Sequence, residues 1–330
     1  MMAAQHTPES ILALARQFME SRIFLSGAEL GLFDCLASGA MTAGEIADKK
    51  DFDPRALTIL LNALTAMGLL EKNGEQYSCP VPITGMLGSA SPGSVLPMVL
   101  HVAGLWHRWS NISDIVRGIP VAQTPGVFDS DAQLAAFIGA MHVIGARMAP
   151  EVVKAVAPGD ARALLDVGGA SGTYTEAFLR VCPGMRATLF DRAPVVELAR
   201  ARLAGSGLED RITFVAGDFY EDELPGGHDL VFLSAIIHQN SPRENIELYR
   251  KCRRAMAPGG RLVIRDHIME PDHVHPASGA LFAVNMLAAT PGGSTYTFDE
   301  IRETLEEAGF SRIRLLQSGD FMNGLVEAFH

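Results

Sequence analysis

In the stretch VFLSAIIHQNSPREN, residues 231–245, a single histidine, His238, follows an oily run and precedes a proline. An apolar run of this kind reads as a buried strand, and the ring falls at its C-terminal end, where open α/β sheets gather their ligands. Imidazole has a reference pKa of about 6.5, so a histidine placed there can take a proton from a bound hydroxyl near neutrality. The alternative is a packed, hydrogen-bonded ring. Upstream, LDVGGASGTYTEAF carries Gly168, Gly169 and Gly172. A dinucleotide fingerprint starting at Gly168 requires glycine where the chain has Ala170 and Thr173, and no GKS or GKT follows to make a P-loop. What remains is a tight strand-to-helix turn that lets a ligand lie against the backbone, which a nucleoside can use without any phosphate.

Two carboxylates close the next apolar runs, Asp191 in LFDRAPVV and Asp218 in VAGDFY. Carboxylates accept hydrogen bonds, so one at the tip of a second strand suits ribose hydroxyls and one after a third suits an adenine amino group. The competing assignment is helix capping, with Asp191 capping a helix at Ala193-Pro194 and Asp218 capping a short turn. After His238, SPRE supplies Ser241 as an N-cap, Pro242 at the first helical position and Glu244 to complete a capping box, a folding role that fixes the loop presenting the histidine.

The elements that must hold these groups follow from periodicity. From Ala161 onward, ALLDV (163–167), ATLFD (187–191), ITFVAGD (212–218), DLVFLSA (229–235) and RLVIRD (261–266) are short apolar runs mostly separated by helical stretches, which indicates a parallel, doubly wound sheet. SRIRLLQS and GLVEAFH lie too close together for a crossover helix and are expected to pair antiparallel. Before residue 80 the pattern is helical, then helix, turn, helix and a short strand pair around Asn73-Gly74, the outline of a winged helix. Residues 86–96 read as a connection, followed by helices over about 97–117, with Trp106 and Trp109, and over 131–156, with Phe137 and Met141 on one face. The expected division is a winged-helix-like domain at 1–96, a helical connection at 97–158 and a sheet domain at 159–330.

A winged helix raises the question of DNA, and charge answers it. Residues 1–100 hold six Lys or Arg against ten Asp or Glu, net −4, and the whole chain carries −11. Nucleic acid and anionic membrane surfaces both demand counter-charge, so neither is expected as partner. No uninterrupted apolar run long enough to span a bilayer is read, and the start lacks a basic leader before an apolar core. With 48% hydrophobic and 20% charged residues, disorder is excluded. Cys35, Cys79, Cys182 and Cys252 show no CxxC pair, which argues against a disulfide framework or zinc site and fits a reducing cytoplasm.

Taken together, the DxGGxSG turn, FDxxxVV, AGDF, the histidine after the fourth strand, APGGRLVIRD and PGGSTYTFDEIRETLEEAGF resemble the S-adenosylmethionine-dependent O-methyltransferases of the plant caffeate, acetylserotonin and bacterial tailoring type. The resemblance covers nearly the whole chain. It implies a Rossmann-like methyltransferase sheet, a winged-helix-like dimerisation domain, a cytoplasmic homodimer, S-adenosylmethionine as cofactor with S-adenosylhomocysteine as product, no metal, and a small acceptor from secondary metabolism.

By that resemblance Asp166, Gly168, Gly169, Gly172 and Ser234 belong to the cofactor site, with the glycines beneath its methionine and ribose portions. Asp191 holds the ribose hydroxyls, and Asp218 with Phe219 frames the adenine. His238 falls on the general base, and Asp266 on the carboxylate that orients it. The plant pattern is not fully kept: Gln239 follows the histidine in place of Asp, Asp266 stands for a Glu, and a second orienting Glu is Thr295, so the imidazole is expected to be held differently. Trp106, Phe137, Met141, Phe282, Asn285 and Met286 are the implied acceptor wall, suited to a flat aromatic or polyketide-like hydroxyl compound. The other possibilities are a same-fold enzyme that binds the cofactor but decarboxylates or hydroxylates without methyl transfer, and a ligand-responsive winged-helix regulator.

Overall fold

The computed structural model describes residues 6–121 and 130–330. Two compact units divide the chain, Met1–Trp106 and His107–His330.

In the first unit, helix Pro8–Glu29 starts at Thr7, whose side chain accepts the Ser10 N–H. Capped helices Ala43–Lys50 and Pro54–Ala66 follow, begun by Thr42 and Asp53. Strands Glu71–Asn73 and Gln76–Ser78 then form a hairpin around Gly74, whose φ of +59° suits glycine. Met41–Thr42 adds a third antiparallel strand that was not anticipated, because two residues are too few to show alternation. Leu32, Phe33, Ile46, Leu61, Leu64 and Tyr77 fill the core. Ile11, Leu12, Leu14, Phe18 and Met19 remain exposed along the first helix. The single helix expected over 97–117 is in fact two, Leu96–Trp109 and Ile112–Val116, parted at Asn111.

The second unit is built on a seven-stranded sheet of β1 (Ala163–Val167), β2 (Arg186–Asp191), β3 (Ile212–Ala216), β4 (His228–Ser234), β5 (Met256–Asp266), β6 (Ser311–Gln317) and β7 (Gly324–Phe329). Their spatial order is β6-β7-β5-β4-β1-β2-β3. The first five strands run parallel, and β7 pairs antiparallel with both β5 and β6. The order reverses beside β1, so the β1 and β4 ends flank the crevice where such sheets bind ligands.

Six helices matter here: α1 (Asp131–Val156), α2 (Thr173–Val181), α3 (Ala193–Leu203), α4 (Pro242–Ala255), α5 (Ala277–Ala289) and α6 (Phe298–Glu307). The strands are apolar on both faces because both are covered. Leu164, Leu189, Phe232 and Val263 meet α1, α2 and α3 on one side. Leu165, Val231, Leu233, Leu262 and Ile264 meet α4 and α6 on the other. By length and composition α1 would pass for a membrane span, although Gln133, His142, Arg147 and Glu151 interrupt its apolar run. In the fold its Leu134, Ile138, Val152, Val153 and Val156 are buried as core residues. Finally, Ile268–Met269 and Tyr296–Thr297 form a small parallel ladder of their own, with α5 in the sequence between the two strands.

Candidate active site

The chain leaves β4 through Ala235, which takes a left-handed φ of +58°, and turns into a short 3-10 segment, Ile237–Gln239. Non-glycine residues adopt this backbone only where surrounding structure imposes it. Several contacts do so. Asn245, in the first turn of α4, donates to the Ile237 carbonyl at 3.0 Å, and Asn240 donates to Asn245 at 3.0 Å. Tyr220 donates to the Asn240 side chain at 2.6 Å, and Tyr296 donates to the Asn240 carbonyl. Ser241 and Glu244 form the anticipated capping box that begins α4.

This frame presents His238, which is 8% exposed, to Asp266 at the end of the adjacent strand β5. His238 Nδ1 lies 2.9 Å and 3.0 Å from the two Asp266 oxygens, so Nδ1–H donates to the carboxylate and Nε2 keeps a free lone pair. Burial alone would raise the Asp266 pKa. The His238 ring and the His267 N–H, which donates to Oδ1 at 2.8 Å, instead hold it below the usual carboxylate range. Thr295 contributes nothing to the pair: its hydroxyl donates to the Gly279 carbonyl at 3.3 Å.

After β1 the glycine turn forms as expected. Gly168 and Gly172 have φ of +67° and +71°, and a Cβ on Gly168 would come within 2.6 Å of Ile236. On Gly169 or Gly172 it would come within 2.7 Å of Leu189 or Leu203. These glycines therefore let the turn pack against its own protein as well as bend. Ala170 shares the left-handed conformation, φ +47°, and its N–H donates to Asp191 Oδ2 at 2.9 Å. Asp191 Oδ1 accepts the Arg192 N–H at 2.7 Å. Helix α3 itself begins at Arg192 without a side-chain cap, so Asp191 is not a helix cap. Burial pushes its pKa up to about 6. Asp166, deeper on β1 and bonded by the Thr175 hydroxyl at 2.6 Å, is likewise pushed up to about 6 by burial. Asp218 Oδ1 accepts the Tyr220 N–H at 2.9 Å, a turn cap that leaves Oδ2 outside that bond. Each Asp191 oxygen takes one backbone donor and retains a lone pair, which fits a ligand rich in hydroxyl donors.

Two cations went unnoticed in the sequence. Lys251 of α4 donates to the carbonyls of Phe219, Tyr220 and Asp222 at 2.9, 3.0 and 2.8 Å, clasping the turn that carries Asp218 and Phe219. Arg265 of β5 donates to Ser234 at 3.1 Å. On α5, the Phe282 ring stands edge-on to His238 and tilted against His267, both at 4.8 Å between centroids. Met286 is buried, and Asn285 accepts the Trp109 indole N–H at 3.0 Å. On α1, Met141 is half-buried, while Phe137 packs with Leu134, Ile138, Val195 and Ala170. Trp106 belongs to the first unit, under the Arg22 guanidinium at 5.3 Å.

A doubly wound sheet with a glycine turn after β1, acids after β2 and β3, and a His–Asp pair after β4 and β5 frames a nucleoside-cofactor transferase. Known proteins agree. Residues 124–311 match the O-methyltransferase domain model, and residues 12–79 match the O-methyltransferase dimerisation domain. The chain belongs to this O-methyltransferase family and is an S-adenosylmethionine-dependent methyltransferase. It is 30% identical to the 3-hydroxy-5-methyl-1-naphthoate 3-O-methyltransferase of Streptomyces sahachiroi, over 97% of this chain and 94% of that one. To the tetracenomycin polyketide synthesis 8-O-methyl transferase of Streptomyces glaucescens it is 29% identical, covering 93% and 92%. Among solved structures, PigF with S-adenosylhomocysteine superposes with a TM-score of 0.85 at 26% identity, covering 98% and 100%. A same-fold enzyme lacking methyl transfer is not favoured, since these relatives are named as methyltransferases.

Proposed function

We propose that the enzyme methylates a hydroxyl of a small, largely apolar aromatic or polyketide-like acceptor, with His238 as general base. The observation that carries this reading is the buried His238–Asp266 pair at the ligand-binding edge of the sheet. When bound, S-adenosylmethionine supplies an activated methyl group on its sulfonium. His238 Nε2 takes the acceptor's hydroxyl proton, and Asp266 fixes the tautomer that leaves Nε2 free and stabilises the ring as it becomes cationic. Asp191 holds the ribose hydroxyls, and Asp218 and Phe219 frame the adenine. The turn of Gly168, Gly169 and Gly172 lies under the rest of the cofactor, flanked by Asp166 and Ser234. Met141, Phe282, Asn285 and Met286 wall the acceptor. The naphthoate and polyketide relatives support an aromatic acceptor.

The same proposal includes a cytoplasmic homodimer. Support comes from the dimerisation-domain match, the exposed apolar residues of helix Pro8–Glu29 and four free cysteines. Calorimetric titration with S-adenosylhomocysteine, with NADH as control, tests the cofactor site. Mass analysis after incubation with S-adenosylmethionine and phenols or naphthols tests the acceptor class. A product heavier by one methylene is expected; binding without any methylated aromatic product would overturn the acceptor assignment.

A further inference from the structure

Alternation along β5 sends Arg265 to the opposite face from Asp266, toward α1 and α2. The residue is 3% exposed, and among the described residues it forms no ion pair with a carboxylate. Its guanidinium donates to the Ser234 hydroxyl at 3.1 Å and, at 3.3 Å, to the thioether of Met148, a weak acceptor. Nε is buried without a partner among the described residues. The guanidinium also lies 5.1 Å from the centre of the Tyr174 ring, and the Tyr174 hydroxyl is likewise buried with no partner among the described residues. Asp266, the nearest acid in sequence, is engaged by His238 and the His267 N–H.

A buried cation without an anion is unfavourable, and here burial depresses the Arg265 pKa. Every unsatisfied group in this cluster can donate, so the missing component is a negatively charged acceptor. A guanidinium fork matches a carboxylate in plane and spacing. The location narrows its source. Ser234 ends β4, Tyr174 lies in the first turn of α2 just after the glycine turn, and Met148 is seven residues beyond Met141 on the same face of α1.

We infer that Arg265, Tyr174 and Ser234 form a carboxylate-binding subsite, filled by the aminoacyl end of the cofactor or by an acid group on the acceptor. This inference rests on the methyltransferase reading above and is tested apart from it, because wild-type binding of S-adenosylhomocysteine examines that reading alone. Two ligand pairs separate the sources: S-adenosylhomocysteine against 5′-methylthioadenosine, which lacks the aminoacyl end, and a hydroxynaphthoate against its methyl ester. Arg265→Met should weaken the carboxylate-bearing member of one pair by about tenfold and leave its partner unchanged. The affected pair identifies the source. Tyr174→Phe keeps the ring packed on Phe232 and should weaken the same ligand by about threefold. It serves as the deciding variant if Arg265→Met does not fold. Unchanged affinities in both pairs, or equal losses for both members of a pair, would overturn the subsite.

Discussion

Both carboxylate oxygens of Asp266 lie within 3.0 Å of His238 Nδ1, so the acid is committed to one nitrogen of the ring and Nε2 alone can receive a proton. His238→Ala should therefore lower turnover by about two orders of magnitude or more while leaving S-adenosylhomocysteine affinity near wild type. Asp266→Asn, which can donate to Nδ1 and favour the wrong tautomer, should lower turnover by about tenfold or more with the fold intact. Single-turnover methylation with calorimetry on each variant checks both; full activity in His238→Ala would remove the base assignment.

Asp191, proposed to hold the ribose hydroxyls, would make cofactor binding sensitive to pH. Its pKa of about 6 in the free protein means that it is largely neutral in mild acid, whereas a carboxylate is the better acceptor for ribose hydroxyls. S-adenosylhomocysteine affinity is expected to fall as pH drops below about 6 and to level off above it. Asp191→Asn should bind more weakly at pH 7 and lose most of this slope, leaving the part due to Asp166, which is also raised to about 6. Titrations at pH 5, 6 and 7.5 measure the effect, and parallel slopes in wild type and variant would contradict it.

Through the turn it clasps, Lys251 is proposed to support nucleoside binding without touching the ligand. Removing three ammonium–carbonyl bonds in Lys251→Met should loosen the turn bearing Asp218 and Phe219. An affinity loss of about threefold to tenfold for S-adenosylhomocysteine is expected, with kcat at saturating cofactor little changed. A drop in kcat without a rise in cofactor KM would place the effect elsewhere.

His267 gives stability a sign that can be measured. Burial pushes its pKa down to about 4, so the unfolded chain binds this proton near 6.5 and the native state does not. The stability tied to the neutral ring is complete above pH 6.5 and is lost as pH falls toward 4. Asp166 and Asp191 oppose it, since their raised pKa values make the native state bind protons more readily between about 4 and 6. His267→Asn should lose less stability than wild type between pH 7 and pH 5, as read by urea denaturation. Identical pH dependence would contradict the buried neutral ring.

Much of the frame was legible because it is local. Ser241, Pro242 and Glu244 declare a helix start within four residues, Thr297 and Glu300 do the same for α6, and apolar runs betray strands covered on both faces. The same logic located His238, Asp191 and Asp266 at strand ends. Partnerships across distant segments were not legible. Lys251 sits in the basic run YRKCRRA, where periodicity gives a helix face but not the carbonyls it meets. Asn240 and Asn245 look like ordinary loop and helix residues, yet they lock the turn that presents His238. Phe137 shows the limit of an apolar stripe: helical spacing put it on a packed face of α1, but not that its neighbours there include Ala170 of the glycine turn and Val195 of α3.

The two-rung ladder joining Ile268–Met269 to Tyr296–Thr297 closes a loop whose one regular element is α5. Its ends meet immediately after Asp266 and immediately before α6, so the polypeptide between them is a cassette clipped onto a finished scaffold. Residues within it can be exchanged or lengthened at little entropic cost, because the closure is already made and longer loops add only slowly to it. On the proposed reading, chemistry and selectivity are written on separable parts of the chain: the proton-handling pair on β5 and the turn after β4, and the choice of molecule on an insert that can diverge without shifting the strand beneath it.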